Sequence, residues 1–365
     1  MKINGAMVVL AREIRGLSQE DLARLVSTSQ ATIARIEGSE WGEVEDVRAG
    51  MLAKALDFPP EFLSQKEELI GFGSSAYFYR KKASLQAQDR KRIHGVVNGI
   101  RINLKRLLDS LEIVPKRPLP ELEVEQYGTA SRAAQALRAY WNVPDGPLTN
   151  LTSLIESAGV IVVPTDFGTS AMDATSLRLA EMPPLIFINK DIPGDRWRFT
   201  LAHELAHLVL HQVPHESMED EADEFAAELL LPDLELKAAF ARLPKIRLVD
   251  LINMKPYWKV SVAALIERAY GLRFIDSNAR RYLWVSLKRV GYPVEPVSIA
   301  REDAKNHRGM LEHFTRTLQY SNEELAELFK INQRDLATWH GPSMPSLQPK
   351  QNHLRAVPKT SKSFS

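Results

Sequence analysis

Apolar residues near the N-terminus recur at helical spacing in two short runs with a turn between them. Ser18 is suited to cap a first helix, whose apolar face includes Leu22. Ser29 is suited to cap a second helix over residues 30–37. Two short helices across a tight turn are typical of the helix-turn-helix motif, so an all-α domain of this kind is predicted.

The second predicted helix directs several polar side chains away from its apolar face. Gln30, Thr32 and Arg35 suit base edges in a DNA major groove, and Gln19 in the first helix suits a phosphate. We therefore predict double-stranded DNA as a partner. A small helical bundle without a nucleic-acid role is the alternative, because residues 1–60 carry seven basic and nine acidic side chains and phosphate binding favours positive charge.

A strongly basic stretch follows this segment. Residues 80–117 carry eleven Lys/Arg and three Asp/Glu, and the apolar positions from 84 to 111 have helical spacing. This helix either supplies positive charge for DNA or is a solvated basic face. The proline-rich residues 114–120 then predict a linker.

Short apolar runs alternate with helical patterns in the middle of the chain. The predicted helices are 131–141 and 148–157, and the predicted strands are 159–163, 174–177 and 184–188. A further helix is predicted to begin at Arg196. This order, strands followed by a helix, indicates a small α+β domain. In such a sheet, the edge strand beside an active site often holds an extended peptide by backbone hydrogen bonds.

The most specific chemistry lies in residues 200–207, Thr-Leu-Ala-His-Glu-Leu-Ala-His. On a helix, His203 and His207 share one face and can bind one ion, and the adjacent Glu204 can act as a general base. The chain has no cysteine, so histidines and carboxylates must supply the metal ligands. Zn²⁺ is the expected cofactor, one ion per chain, and Mn²⁺ or Fe²⁺ would fit the same ligands.

Two histidines leave a catalytic zinc site one protein ligand short. The next predicted helix, ended by a proline, has Glu219 and Asp223 on its inward stripe. We predict Glu219 as the third ligand and Asp223 as the carboxylate that orients a ligand histidine, with Glu221 as the alternative ligand. His211 is predicted to lie next to the site or at the surface, and His215 in a loop.

The C-terminal third contains an internal repeat. Residues 321–341 align with residues 18–38 at a constant offset and without gaps. The shared residues are mostly caps and core positions, which predicts a second helix-turn-helix shape more than a second DNA reader. After Gly341 the chain is rich in Pro, Ser, Lys and Gln, and a disordered tail is predicted.

The overall composition is ordinary for a globular protein, with 44% apolar residues, 25% charged residues and a formal net charge of +1. No apolar run approaches the roughly 18 residues of a membrane-spanning helix, and the N-terminus lacks the pattern of a signal peptide. The expected location is therefore the cytoplasm, without a membrane partner.

Two segments together resemble the ImmA/IrrE family of metallopeptidases. They are residues 198–211, Arg-Phe-Thr-Leu-Ala-His-Glu-Leu-Ala-His-Leu-Val-Leu-His, and residues 219–232, which run from Glu219 to Pro232. The resemblance implies a gluzincin-type zinc site and, as in several members, cleavage of a partner repressor. One departure is Ala206, where a glycine is common.

The N-terminal segment resembles the XRE (Cro/repressor-like) helix-turn-helix family over residues 6–63. The predicted fold is multidomain: an all-α domain, then an α+β zincin-like (gluzincin) domain, then a mainly helical region. The predicted parts are 1–65, the DNA-binding domain; 66–125, a helical basic linker; 126–272, the metallopeptidase domain; 273–341, a helical region with the second helix-turn-helix-like unit; and 342–365, the tail.

The function expected from these resemblances is a DNA-binding transcriptional regulator with a zinc-dependent endopeptidase domain. Its expected substrate is a repressor- or antitoxin-like protein. The alternatives are a non-catalytic regulator whose zincin-like domain is a sensor or dimerisation platform, and a toxin–antitoxin or phage-defence component. A second copy of the chain, forming a homodimer, is a further candidate partner.

Overall fold

The computed structural model describes residues 1–70, 86–341 and 344. The first residues of the basic stretch and, apart from Met344, the predicted tail lie outside this part of the chain. Apolar side chains form two hydrophobic cores. Of the helices described, none is both long enough and apolar enough to cross a membrane.

The N-terminal residues form a helical unit with a short two-stranded ribbon. Its elements are β1 (Lys2–Ile3), α1 (Gly5–Ile14), α2 (Gln19–Leu25), α3 (Gln30–Glu37), β2 (Gly42–Glu43), α4 (Asp46–Leu56) and α5 (Pro60–Leu63). The Ser18 hydroxyl accepts a hydrogen bond from the Asp21 backbone, and Ser29 caps α3 in the same way. These caps fix where α2 and α3 begin, and both helices lie where the sequence predicts them.

A long helix, α6 (Ala87–Leu108), lies where the spacing of residues 84–111 predicts it. It packs against α1, and a Cβ atom at Gly95 would lie 3.0 Å from the backbone nitrogen of Ile14. Glycine at position 95 therefore allows the two helices to approach closely. The buried face of α6 belongs to the first core, together with the N-terminal helices.

A three-stranded sheet separates the two cores. It consists of β3 (Ile161–Thr165), β4 (Ala174–Leu179) and β5 (Met182–Asn189) in the order β3-β5-β4, with β3 parallel and β4 antiparallel to β5. Val163 and Phe187 belong to the first core, whereas their neighbours Val162 and Ile186 belong to the second. Both faces are covered, which is why β3 and the second half of β5 are almost continuously apolar.

The second core is built by helices around the other face of the sheet. They are α7 (Val124–Tyr127), α8 (Ala130–Tyr140), α9 (Leu151–Ser157), α10 (Gly194–Leu210), α11 (Met218–Leu230), α12 (Asp233–Ala241), α13 (Leu248–Trp258), α14 (Val262–Gly271) and α15 (Ser277–Arg289). Ala222 and Ala226, both fully buried, allow α11 to pack closely. This packing positions α11 between α10 and α8.

The C-terminal repeat has the shape of the N-terminal helix pair. After α16 (Asn306–Glu312), it consists of α17 (Asn322–Phe329) and α18 (Gln333–His340). In α18, Asp335 and Trp339 are only 3% and 4% exposed, because Asp335 accepts from Arg15 at 2.6 Å and Trp339 lies against Gly99. α18, which corresponds in the repeat to the predicted DNA-reading helix α3, is therefore packed against both the N-terminal helices and α6.

The structure differs from the predicted single region at 273–341, because its helices belong to different cores. In α15, Leu283 and Leu287 pack in the second core, whereas α17 and α18 pack in the first. The segment between α15 and α16 connects them: Glu302 pairs with Arg198 of α10 and accepts from the Thr152 backbone at 2.7 Å. The helices of this region are divided between the two cores because the apolar face of each helix packs against a different neighbour.

Glu156, at the junction between α9 and α16, should make the stability of the fold depend on pH. Burial, opposed by hydrogen bonds from the Lys305 and Asn306 backbone, raises the pKa of Glu156 from 4.5 to about 7. The folded state then holds a proton that the unfolded chain releases, so the free energy of unfolding should fall as pH rises between these values, by about 3 kcal/mol in total. Glu156→Gln should flatten this part of the profile in urea unfolding at pH 5 and pH 8.

The matched control is Glu327→Gln, which makes the same change on an exposed helical carboxylate. It should leave the difference between pH 5 and pH 8 at the wild-type value. A Glu156→Gln protein with the wild-type pH dependence would contradict the prediction.

Candidate metal centre

The His-Glu-x-x-His segment lies on α10, a helix that is buried along most of its length. Both histidines project from the same face, and their side chains are only 10% and 5% exposed for His203 and His207. Ala206 between them is fully buried, so an alanine fits where the family that this segment resembles often has glycine. The core around α10 therefore fixes the position of both imidazoles.

Glu219, on the first turn of α11, meets the two histidines. His203 Nε2 and His207 Nε2 are 3.1 Å apart, and each lies 3.6 Å from a carboxylate oxygen of Glu219. Glu219 Oε1 is buried and accepts no hydrogen bond. Two imidazole nitrogens and a carboxylate whose buried oxygen lacks a partner match the ligand set of zinc, so these three residues fit the expected ion.

Asp223, one turn further along α11, contacts His203 from the other side of the ring. Its Oδ1 lies 2.8 Å from His203 Nδ1, which leaves Nε2 directed toward His207 and Glu219. The Asp223 side chain is 63% exposed, so it lies at the rim of the site rather than on the buried stripe that the sequence suggested. A carboxylate in this position orients the imidazole and makes it a stronger ligand.

The pKa values of the two histidines are shifted in opposite directions. Burial disfavours the charged form of His203, but hydrogen bonds to Asp223 and Glu219 and the charge of Glu204 outweigh it and raise its pKa to about 9. Burial, followed by the charges of nearby histidines, holds the pKa of His207 well below its usual value. The carboxylates thus concentrate negative potential at the position where a cation would bind.

Glu204 lines a cavity of about 230 Å³ in front of these residues. Glu204 directly follows His203 in the sequence, and the residue is only 2% exposed. The cavity is also bounded by Ala174, the first residue of β4. Among the strands described, β4 is one of the two edge strands of this sheet, so the site opens beside a strand of the kind that an extended peptide can pair with.

Three other cavity residues were not predicted from the sequence. They are Asp173, Phe199 and Thr200. Phe199 and Thr200 precede His203 by about one helical turn, so the helical period was a usable signal for them. Asp173 precedes β4 and enters the site only through the fold.

Glu221, the alternative ligand, lies in a different cluster. Its Oε2 is 3.3 Å from His211 Nε2 and 3.8 Å from His215 Nε2. His211 is buried and its Nδ1 lies 2.9 Å from His207 Nδ1. The structure therefore brings Glu219, and not Glu221, to His203 and His207.

The predicted DNA-contacting residues lie around the start of α2 and on α3. Gln30 donates to Gln19 at 2.6 Å, and Gln19 donates to Glu37 at 2.7 Å. Gln30 and Arg35 are exposed, and Thr32 is partly exposed with its hydroxyl 2.9 Å from that of Ser29. These contacts hold the Gln19 amide in place and leave the outer face of α3 open.

Removing the Asp223 carboxylate tests its orienting role. Asp223→Ala should weaken zinc binding by about 10- to 100-fold, because the His203 ring loses the partner that fixes its tautomer and orientation. Competition with a chromophoric chelator measures this affinity. Asp220→Ala, an exposed carboxylate on the same helix, is the control, and equal affinities in the two variants would rule out the role.

Comparison with known proteins locates a family relationship in this part of the chain. Residues 155–270 match the family model described as the IrrE N-terminal-like domain, Peptidase_M78. This range includes the three-stranded sheet, α10 and α11. No curated protein matches the chain. The segment that carries the candidate metal centre is therefore similar to the IrrE N-terminal-like domain of metallopeptidases.

Proposed function

We propose that this chain is a metal-dependent endopeptidase that acts on a protein partner and that also binds DNA. The observation that carries the first part is the convergence of His203, His207 and Glu219. Two of them, His203 and Glu219, line a cavity together with Glu204, and this cavity lies beside a sheet edge. The match of residues 155–270 to a metallopeptidase family supports the same activity.

His203, His207 and Glu219 would hold the metal. Zinc bound there supplies a Lewis acid that polarises a carbonyl and acidifies water. Glu204 accepts the proton from the attacking water on a carboxylate oxygen and then delivers it to the leaving amine nitrogen. Asp223, which contacts His203 Nδ1, would keep His203 in the tautomer whose Nε2 is free to hold the metal.

An extended segment of a protein is the substrate class that fits this site. The edge of β4 offers backbone hydrogen bonds, and the cavity of about 230 Å³ accommodates little more than the scissile region of a chain. A repressor- or antitoxin-like protein, as the family resemblance implies, would present such a segment in a loop or terminus.

The test is a search for new N-termini in a lysate of the natural host. Zinc-loaded protein should generate a limited set of them, chelator-treated protein should not, and restoring zinc should restore them. If zinc-loaded protein generates none, both in lysate and on a fluorogenic peptide library, the peptidase proposal fails and a non-catalytic regulator becomes the better description.

The exposed face of α3 supports the DNA-binding part. Gln30→Ala combined with Arg35→Ala should weaken binding, by tenfold or more, to a site selected from random DNA by the wild type, since each such base contact contributes about 1–3 kcal/mol. The equivalent double change in the C-terminal unit, Gln333→Ala with Thr338→Ala, is the matched control and should have no effect. Unchanged affinity in the first variant would contradict this interface.

A further inference from the structure

A second cluster of metal-binding side chains lies beside the candidate metal centre. His211 ends α10, His215 follows in the next loop, and Glu221 lies on α11. Their ligand atoms all lie within 4.8 Å of one another. Two imidazoles and one carboxylate form the same donor set as the first site.

The surroundings of this cluster favour a cation that arrives from solvent. His211 is fully buried, whereas the side chains of Glu221 and His215 are 22% and 44% exposed. The exposed side of the cluster leaves room for water ligands around a bound cation.

The two sites share a contact that can hold only one proton. His207 Nδ1 and His211 Nδ1 are 2.9 Å apart, so one nitrogen must donate and the other accept. A neutral histidine that binds a metal through Nε2 carries its proton on Nδ1. When His207 binds metal through Nε2, it is therefore the donor, and His211 carries its own proton on Nε2, the atom that faces Glu221.

We propose that His211, His215 and Glu221 form a second zinc site whose occupancy opposes occupancy of the first. The proposal rests on His207 serving as a ligand in the proposed peptidase site. Metal on His211 Nε2 places a proton on His211 Nδ1, which then faces the Nδ1 proton of a metal-bound His207. Filling both sites requires the loss of that hydrogen bond or of one proton.

The test is zinc titration of the full-length protein by calorimetry and by competition with a chromophoric chelator. The wild type should bind one zinc tightly and a second at least about tenfold more weakly, since a buried donor facing a donor loses its partner. His215→Ala changes an exposed side chain, so it should fold, keep the first step and lose the second. A single step in the wild type, or a second step that survives in His215→Ala, would overturn the second site.

The coupling between the two sites is tested by measuring the zinc affinity of the second site when the first site is disabled. In Glu219→Ala, which disables the first site, the remaining site should bind zinc at least about tenfold more tightly than the second step of the wild type. Adding His215→Ala to this variant should abolish that binding, which identifies where the ion is bound. Unchanged affinity in Glu219→Ala would refute the coupling, and because none of these readouts measures cleavage, their failure is distinct from failure of the peptidase proposal.

Discussion

Replacing Glu204 by glutamine should lower kcat/KM for peptide hydrolysis by about 10²- to 10⁴-fold, the range that a general acid–base group contributes. The Glu204 side chain is buried in the cavity that also contains His203 and Glu219. Glutamine has nearly the same shape but cannot accept the proton of the attacking water. The rate should be measured on the peptide that the zinc-loaded wild type cleaves best.

The same variant should keep its fold and its affinity for zinc, because Glu204 is not among the three residues that converge as candidate ligands. Zinc affinity and melting temperature are therefore measured beside the rate. Glu181→Gln makes the same change on an exposed carboxylate at the β4–β5 turn and should cleave at the wild-type rate. Equal cleavage by wild type and Glu204→Gln would remove Glu204 from the mechanism.

The parts of the fold that were predictable from sequence are those fixed by local contacts. Helices α2 and α3 begin after Ser18 and Ser29, whose hydroxyls bind backbone groups three residues ahead. The repeat was equally readable, since α17 and α18 have the bounds expected from the alignment to within one residue. His203 and His207 share a face because of helical period alone.

Features that depend on how distant elements pack were not predictable. Glu219 and Glu221 are two residues apart, and only the packing of α11 on α10 determines which of them faces His203. The division of residues 273–341 between two cores depends on contacts such as Trp339 with Gly99, which are far apart in sequence. Pattern alone specifies which face of a helix is apolar, but not which neighbour covers it.

The N-terminal helical unit and the domain that carries the candidate metal centre pack against opposite faces of the same sheet. α6 and the C-terminal helix pair belong to the same core as the N-terminal domain, and one face of the central sheet completes that core. The other face of the same sheet packs against α10. The candidate metal centre and the N-terminal helices are therefore joined through one packed sheet, and not only through the chain that connects them.

Replacing Glu219 by alanine should weaken zinc binding at the first site by more than about 100-fold, beyond the range typical of an orienting residue. His203 and His207 would remain as the only protein ligands of that site. At zinc concentrations well above both dissociation constants, a 100-fold loss removes about 2.7 kcal/mol of zinc-dependent stabilisation. The rise in melting temperature on adding zinc measures this difference.

Glu221→Ala provides the discriminating comparison, because Glu221 lies on the same helix but contacts His211 and His215 instead. It should change affinity at the first site by less than about tenfold, since it acts there only through the His211–His207 contact. Asp220→Ala, on the exposed side of the helix, controls for a general effect of lost negative charge. A larger loss of tight zinc binding in Glu221→Ala than in Glu219→Ala would reverse the ligand assignment. The tight site would then be the one formed by Glu221 and His211.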